Sequence, residues 1–142
     1  MSEKVFVDST ILVYAHDVDA GEKRAIAEHV LRQLWQDESG RLSTQVLQEF
    51  YVNLTRKIAT PVSRREAREL INAYRVWPVA TLDAGDVLKA SEVEERLGID
   101  FWDATIVVAA LKSGAAAGRY PTSRRRVLTQ WQSWGAVRSV RL

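Results

Sequence analysis

The sequence predicts an α/β domain in which a small, mostly parallel sheet is flanked by helices. Val5-Phe6-Val7 is a short, wholly apolar and largely β-branched run, the pattern of a strand covered on both faces. Helical periodicity follows it, where a hairpin would need an immediate turn and a second alternating run. Further along, short apolar runs continue to alternate with amphipathic stretches, which is the order of βα units. A chain of 142 residues with 46% hydrophobic and 27% charged residues suits one domain, so residues 1–142 are read as a single unit.

In order along the chain, Asp8 ends the first strand and Ser9 or Thr10 can cap a short helix through Ile11 to Ala15. A longer helix is predicted from about Glu22 to Trp35, with Ile26, Val30 and Leu34 spaced four apart. Gly40 interrupts, and Arg41-Leu42-Ser43 reads as a brief strand. Ser43 or Thr44 caps a helix whose Val46, Leu47, Phe50, Leu54 and Ile58 form one apolar face, closed by Pro61. Ser63-Arg64-Arg65-Glu66 has the form of a capping box and opens a helix carrying Ala67, Leu70, Ile71 and Tyr74 inward. After Trp77-Pro78, Val79 to Leu82 is a strand and Asp86 to Leu97 a helix, with Gly98 as its left-handed C-cap. Asp100 caps Phe101 to Lys112, which is apolar nearly all round and therefore read as buried.

Composition removes several classes of chemistry. With no cysteine there is no disulfide framework, thiolate metal site or cysteine nucleophile, and any metal must sit on oxygen or on His16 and His29. The two histidines read as surface or boundary residues. The longest apolar stretch, around Ile106 to Leu111, is far shorter than the roughly 18 residues of a membrane span. Met1 to Asp17 has neither a basic leader nor a small-residue cleavage site, so the expectation is a cytoplasmic protein that does not engage membrane. A net charge of +2 conceals a break: residues 1–113 hold all 18 acids, whereas residues 114–142 hold six Arg and no acid.

Three positions can carry chemistry. Asp8 lies where open α/β sheets place ligands, just beyond the carboxyl end of a strand, although an Asp there can equally cap the next helix. Glu49 lies about 60° outside the apolar arc of its helix, at the border between core and solvent. Asp103 follows Asp100 by three positions at the start of the most apolar helix; both suit a helix N-terminus, but the apolar flanks of Asp103 present it from a buried element.

Taken together, Val5-Phe6-Val7-Asp8-Ser9-Thr10-Ile11-Leu12-Val13-Tyr14-Ala15, Ser43-Thr44-Gln45-Val46-Leu47-Gln48-Glu49-Phe50-Tyr51 and Phe101-Trp102-Asp103-Ala104 resemble the PIN domain, and within it the VapC-type toxins of bacterial toxin–antitoxin pairs. The resemblance covers about residues 4–113. It implies a three-layer fold, and Asp8, Glu49 and Asp103 as both catalytic residues and ligands of Mg²⁺ or Mn²⁺. It also implies endonucleolytic RNA cleavage leaving a 5′-phosphate, a cognate antitoxin protein as partner, and a homodimer. Mg²⁺ suits such a set, being a hard ion usually held by a few carboxylates together with substrate phosphate. The alternative is a weakened or inactive PIN protein that binds RNA or antitoxin without cleavage. A haloacid dehalogenase-type phosphatase would need an acid where Thr10 stands, and a receiver domain would need extra acids before the first strand's Asp.

The family pattern departs from this chain in two places. Thr10 keeps a hydroxyl where Asn or Ser is usual, and the family's acidic pair before the last strands has no counterpart in residues 114–142. The composition break leads to the expectation that this tail is the product of a reading-frame change, with final strands and a fourth acid lost. Ser123-Arg124-Arg125-Arg126 can be written TCN CGA AGA CGN, which read one base later contains Glu-Asp. Trp131 and Trp134 both become Gly in that frame.

Overall fold

A computed structural model describes residues 4–114 together with two later segments, residues 124–131 and 137–141, whose backbone alone is described. The first strand, β1 (Val5–Val7), leads into α1 (Ser9–His16) and α2 (Glu22–Asp37), and then into β2 (Gly40–Ser43). From β2 the chain enters α3 (Thr44–Val52), a π-helical turn (Asn53–Lys57), α4 (Arg64–Tyr74) and the two-residue strand β3 (Val79–Ala80). Then come α5 (Ala84–Leu97), α6 (Phe101–Lys112), β4 (Arg124–Trp131) and β5 (Val137–Arg141). The sheet order is β3-β2-β1-β4-β5, with parallel pairs throughout except between β4 and β5. The predicted α/β class holds, and β1 lies at the middle of the sheet.

The expected loss of the last strands is not what the structure shows. Val5, Phe6 and Val7 pair with Arg126, Val127 and Leu128, and β5 returns antiparallel beside β4. Sheet pairing is made by backbone groups, so a tail of altered composition can still form a ladder where the flanking residues are β-branched or apolar. Ser123 and Trp134, which enter the reading-frame expectation, lie outside the described residues.

The core explains why α6 is apolar on every side. Its Ile106, Ala109 and Ala110 join the main core with Phe6, Leu12, Leu42, Val46 and Phe50, while Ala104, Val107 and Val108 pack against Ala90 and Val93 of α5. Between its exposed ends, from Ala104 to Ala110, the helix is buried on every side and has no solvent face to populate with charge. No helix among the described residues is long and apolar enough to cross a membrane.

Several local expectations are refined. In α2 the fully buried stripe is Ala27, Leu31 and Leu34, one residue round from Ile26 and Val30, which flank it half-buried. The helix predicted to run unbroken to Ile58 changes to a π turn after Val52. There the side chains of Asn53 and Thr55 donate to the carbonyls of Glu49 and Tyr51, each at 2.8 Å, which accompanies the loosened ladder. Of the capping box at Ser63 only one half forms, the Glu66 N–H donating to Ser63 Oγ at 3.1 Å. The reciprocal box is found instead at Asp83 and Asp86, which moves the start of α5 forward to Ala84.

Gly40 opens β2 beneath the indole of Trp77. A Cβ there would overlap the six-membered ring well inside van der Waals contact. Gly40→Ala is therefore expected to displace Trp77 from Trp35 and Tyr74, rings it meets at 5.4 and 5.5 Å, and to lower stability by about 1–3 kcal/mol. Urea denaturation measures this, and an unchanged midpoint would show that the ring shifts without cost.

Candidate active site

Because β1 and β2 run parallel, the helices that follow them begin at the same edge of the sheet. Asp8 stands at the end of β1 as the residue before α1, and Ser43 at the end of β2 launches α3, which carries Glu49 in its last turn but one. α6 packs against β2 and β3 and brings Asp103 in its first turn. The three positions, remote in sequence, lie near enough for the charges of Glu49 and Asp103 to act on Asp8.

Helix capping separates the acids by role. Asp8 occupies the N-cap position of α1 in extended conformation, yet its side chain makes no capping bond. Asp100 occupies the same position before α6, and its Oδ2 accepts from the Trp102 N–H at 3.0 Å. Asp100 thus closes the first turn of its own helix, whereas the Asp8 carboxylate makes no such capping bond and, among the described residues, is engaged only by its neighbour Ser9. Asp103 is exposed, and among the described residues no hydrogen bond or ion pair engages it.

Electrostatics ties these acids together. Burial, and after it the negative charges of Glu49 and Asp103, push the Asp8 carboxyl up from 3.8 to about 7, against the opposing effect of hydrogen bonding to Ser9. A strand-end carboxyl shifted in this way, by burial and then by two neighbouring acids, is a candidate functional group. His16 takes no part: its Nε2 lies 2.8 Å from the Tyr74 hydroxyl, its ring packs on Phe50, and burial holds its pKa below the ordinary value. His29 is exposed on α2.

The residues that hold Glu49 were not singled out in the sequence. Ser9 Oγ donates to Glu49 Oε2 at 2.7 Å, and Gln45 Nε2 donates to Oε1 at 3.2 Å. Gln45 is in turn within 3.2 Å of Thr105 Oγ1, two residues beyond Asp103. Both Glu49 oxygens are thereby oriented, and α1, α3 and α6 are linked through polar side chains. The spacing of Gln45, four before Glu49 on one helix face, was a readable signal; the partners on α1 and α6 were not.

The arrangement suits a hard divalent cation by donor type, since it offers carboxylate oxygen and no sulfur. Among the described residues no three acidic or His side chains are already drawn together as a ligand cluster. A groove of about 590 Å³ elsewhere, between α5 and α6, is lined by Asp83, Asp86, Lys89, Val93 and Lys112 and by none of these three acids.

The family model of the PIN domain matches residues 5–117. The chain belongs to the PIN-domain family. The PIN match spans the acid-bearing segments and stops before the basic strands. No curated protein matches. Among solved structures, the Mycobacterium tuberculosis toxin VapC20, which cleaves the sarcin–ricin loop, is similar at a TM-score of 0.57 and 21% identity, over 81% of this chain and 95% of that one. That likeness concerns the fold of this PIN domain.

Proposed function

We propose that this PIN domain is a metal-dependent endoribonuclease of the VapC toxin type, with Asp8, Glu49 and Asp103 as its metal-binding and catalytic carboxylates. The observation that carries the reading is Asp8: a strand-end carboxylate that makes no side-chain capping bond and whose pKa is raised by burial first and then by the charges of Glu49 and Asp103. Mg²⁺ or Mn²⁺ at these acids would supply neutralisation of charge on the scissile phosphate and activation of the attacking water. The chain's own contribution is to keep the carboxylates apart and aimed. Ser9 and Gln45 fix the two oxygens of Glu49, Asp8 stands on the rigid end of β1, and Asp103 projects from a helix anchored in the core.

The cytoplasm, where RNA and a co-expressed antitoxin would be met, is the compartment this reading implies. A neighbouring antitoxin would silence the toxin, and a homodimer is the assembly we expect. Co-expression with the adjacent open reading frame and pull-down tests the partner.

Purified full-length protein should cleave RNA with added Mg²⁺ or Mn²⁺ and lose that activity in EDTA. RNA cleavage that persists in chelator would overturn the metal role. A second reading has its own observation in its favour, the absence of any acid from residues 114–142. On that reading the chain binds RNA or antitoxin but no longer cuts, and binding without metal-dependent cleavage is its signature.

A further inference from the structure

Trp102 is the most exposed aromatic side chain among the described residues, with 64% of its surface open to solvent. It directly precedes Asp103 in the first turn of α6. Among the described residues the other exposed tryptophan, Trp35, is 43% exposed, and its ring also meets Tyr74 and Trp77. Among the described residues Trp102 has one aromatic neighbour, Phe101, which meets it edge-on at 5.4 Å and 74°. An edge contact steadies a ring while leaving a face available.

The backbone beneath this indole is fixed from both sides. The Trp102 N–H donates to Asp100 Oδ2 at 3.0 Å, and the Trp102 carbonyl oxygen lies 2.5 Å from Thr105 Oγ1. The exposed indole thus stands on an ordered backbone, one residue before Asp103. It has a use there. Every nucleobase has a π-face that stacks on an aromatic ring, so an open indole beside a carboxylate of the site can hold a base without any charged contact.

We propose that Trp102 is a stacking platform for a base of single-stranded RNA next to the scissile phosphate, a positioning residue that holds substrate against Asp103. This rests on the ribonuclease reading above. Stacking of this kind is tolerant of base identity, so Trp102 contributes affinity and register and leaves sequence choice to other contacts.

The test is fluorescence anisotropy with the full chain in Ca²⁺, using a short single-stranded RNA and a second probe of the same backbone carrying abasic residues. Trp102→Ala is expected to weaken binding of the ordinary RNA by about 5–150-fold, the range for losing one stacked base, and to change binding of the abasic probe by less than about twofold. Trp102→Tyr should restore most of the loss. Wild-type binding by Trp102→Ala, or equal loss on both probes, would overturn the platform while leaving the ribonuclease reading standing. A change in oligomeric state of Trp102→Ala by light scattering, accounting for the lost affinity, would place the indole at a protein contact and also overturn it. A wild-type protein that neither binds nor cuts RNA would remove both proposals together.

Discussion

Asp8→Asn is expected to raise the melting temperature of the metal-free protein at pH 8 and to abolish whatever metal-dependent RNA cleavage the chain performs. The folded protein holds this carboxyl at about 7, against an ordinary 3.8. Below about pH 4 the group is protonated in both states and contributes nothing. Between about pH 4 and pH 7 the unfolded chain releases its proton while the folded chain retains it, so stability falls as pH rises. Above about pH 7 the folded state carries the whole penalty, at most about 4 kcal/mol for a shift of this size and less for a half-buried group.

Asn keeps the shape and removes the charge. A gain of about 1–3 kcal/mol, or roughly 5–10 °C, should therefore appear at pH 8 and shrink towards pH 5. Mn²⁺ or Mg²⁺ at pH 8 should raise the wild-type melting temperature and leave that of Asp8→Asn nearly unmoved, because the cation stabilises only a folded state that can bind it. Loss of this carboxylate should slow cleavage by about 10³-fold, the equivalent of about 4 kcal/mol in the barrier. A difference in melting temperature between Asp8→Asn and wild type that does not change from pH 5 to pH 8 would show that Asp8 is not held against its charge.

The second large effect concerns the tail. Restoring the reading frame from the break after α6, so that residues 124 and 125 become Glu-Asp, is expected to raise cleavage by at least about 10–100-fold. That is the usual consequence of regaining a residue that supports a metal ligand. The change would replace part of a run of Arg with acids in β4, the strand paired with β1, at whose end Asp8 stands. The locus sequence comes first: a shifted frame without an acidic pair at this place ends the idea. If the pair is encoded, both versions can be expressed and their Mg²⁺-dependent rates compared. Equal rates would show that Asp8, Glu49 and Asp103 suffice and that the basic tail is a working part of the protein.

Much of the architecture could be read from local pattern, because local physics decides it. Val5-Phe6-Val7 could only be a covered strand, the 3.6-residue spacing of Val46, Phe50 and Leu54 could only bury one helix face, and Gly98 does adopt the left-handed conformation that its position before Asp100 implied. The three acids were legible as a group through the resemblance to a family and, one at a time, through their positions at strand and helix ends. Their separate roles were not legible. Asp8 and Asp100 are the same residue type at the same helical position, and sequence offers no means of telling which of the two carboxylates bonds into its helix as a cap. That was decided by what lies across the fold from each: Asp8 shares its field with acids on α3 and α6, while Asp100 meets its own helix.

The same holds for the support of Glu49 and for the last strands. Ser9 and Glu49 are 40 residues apart, and Gln45 and Thr105 are 60, so neither contact leaves a trace in any local window. In the tail, composition signalled a break and suggested lost strands, whereas backbone pairing to β1 is indifferent to most side chains and kept them. Periodicity, caps and turns belong to the sequence because they act within one turn of helix or one step of strand. The site belongs to the tertiary structure because its charges interact through space, across elements that only the parallel sheet brings to one edge.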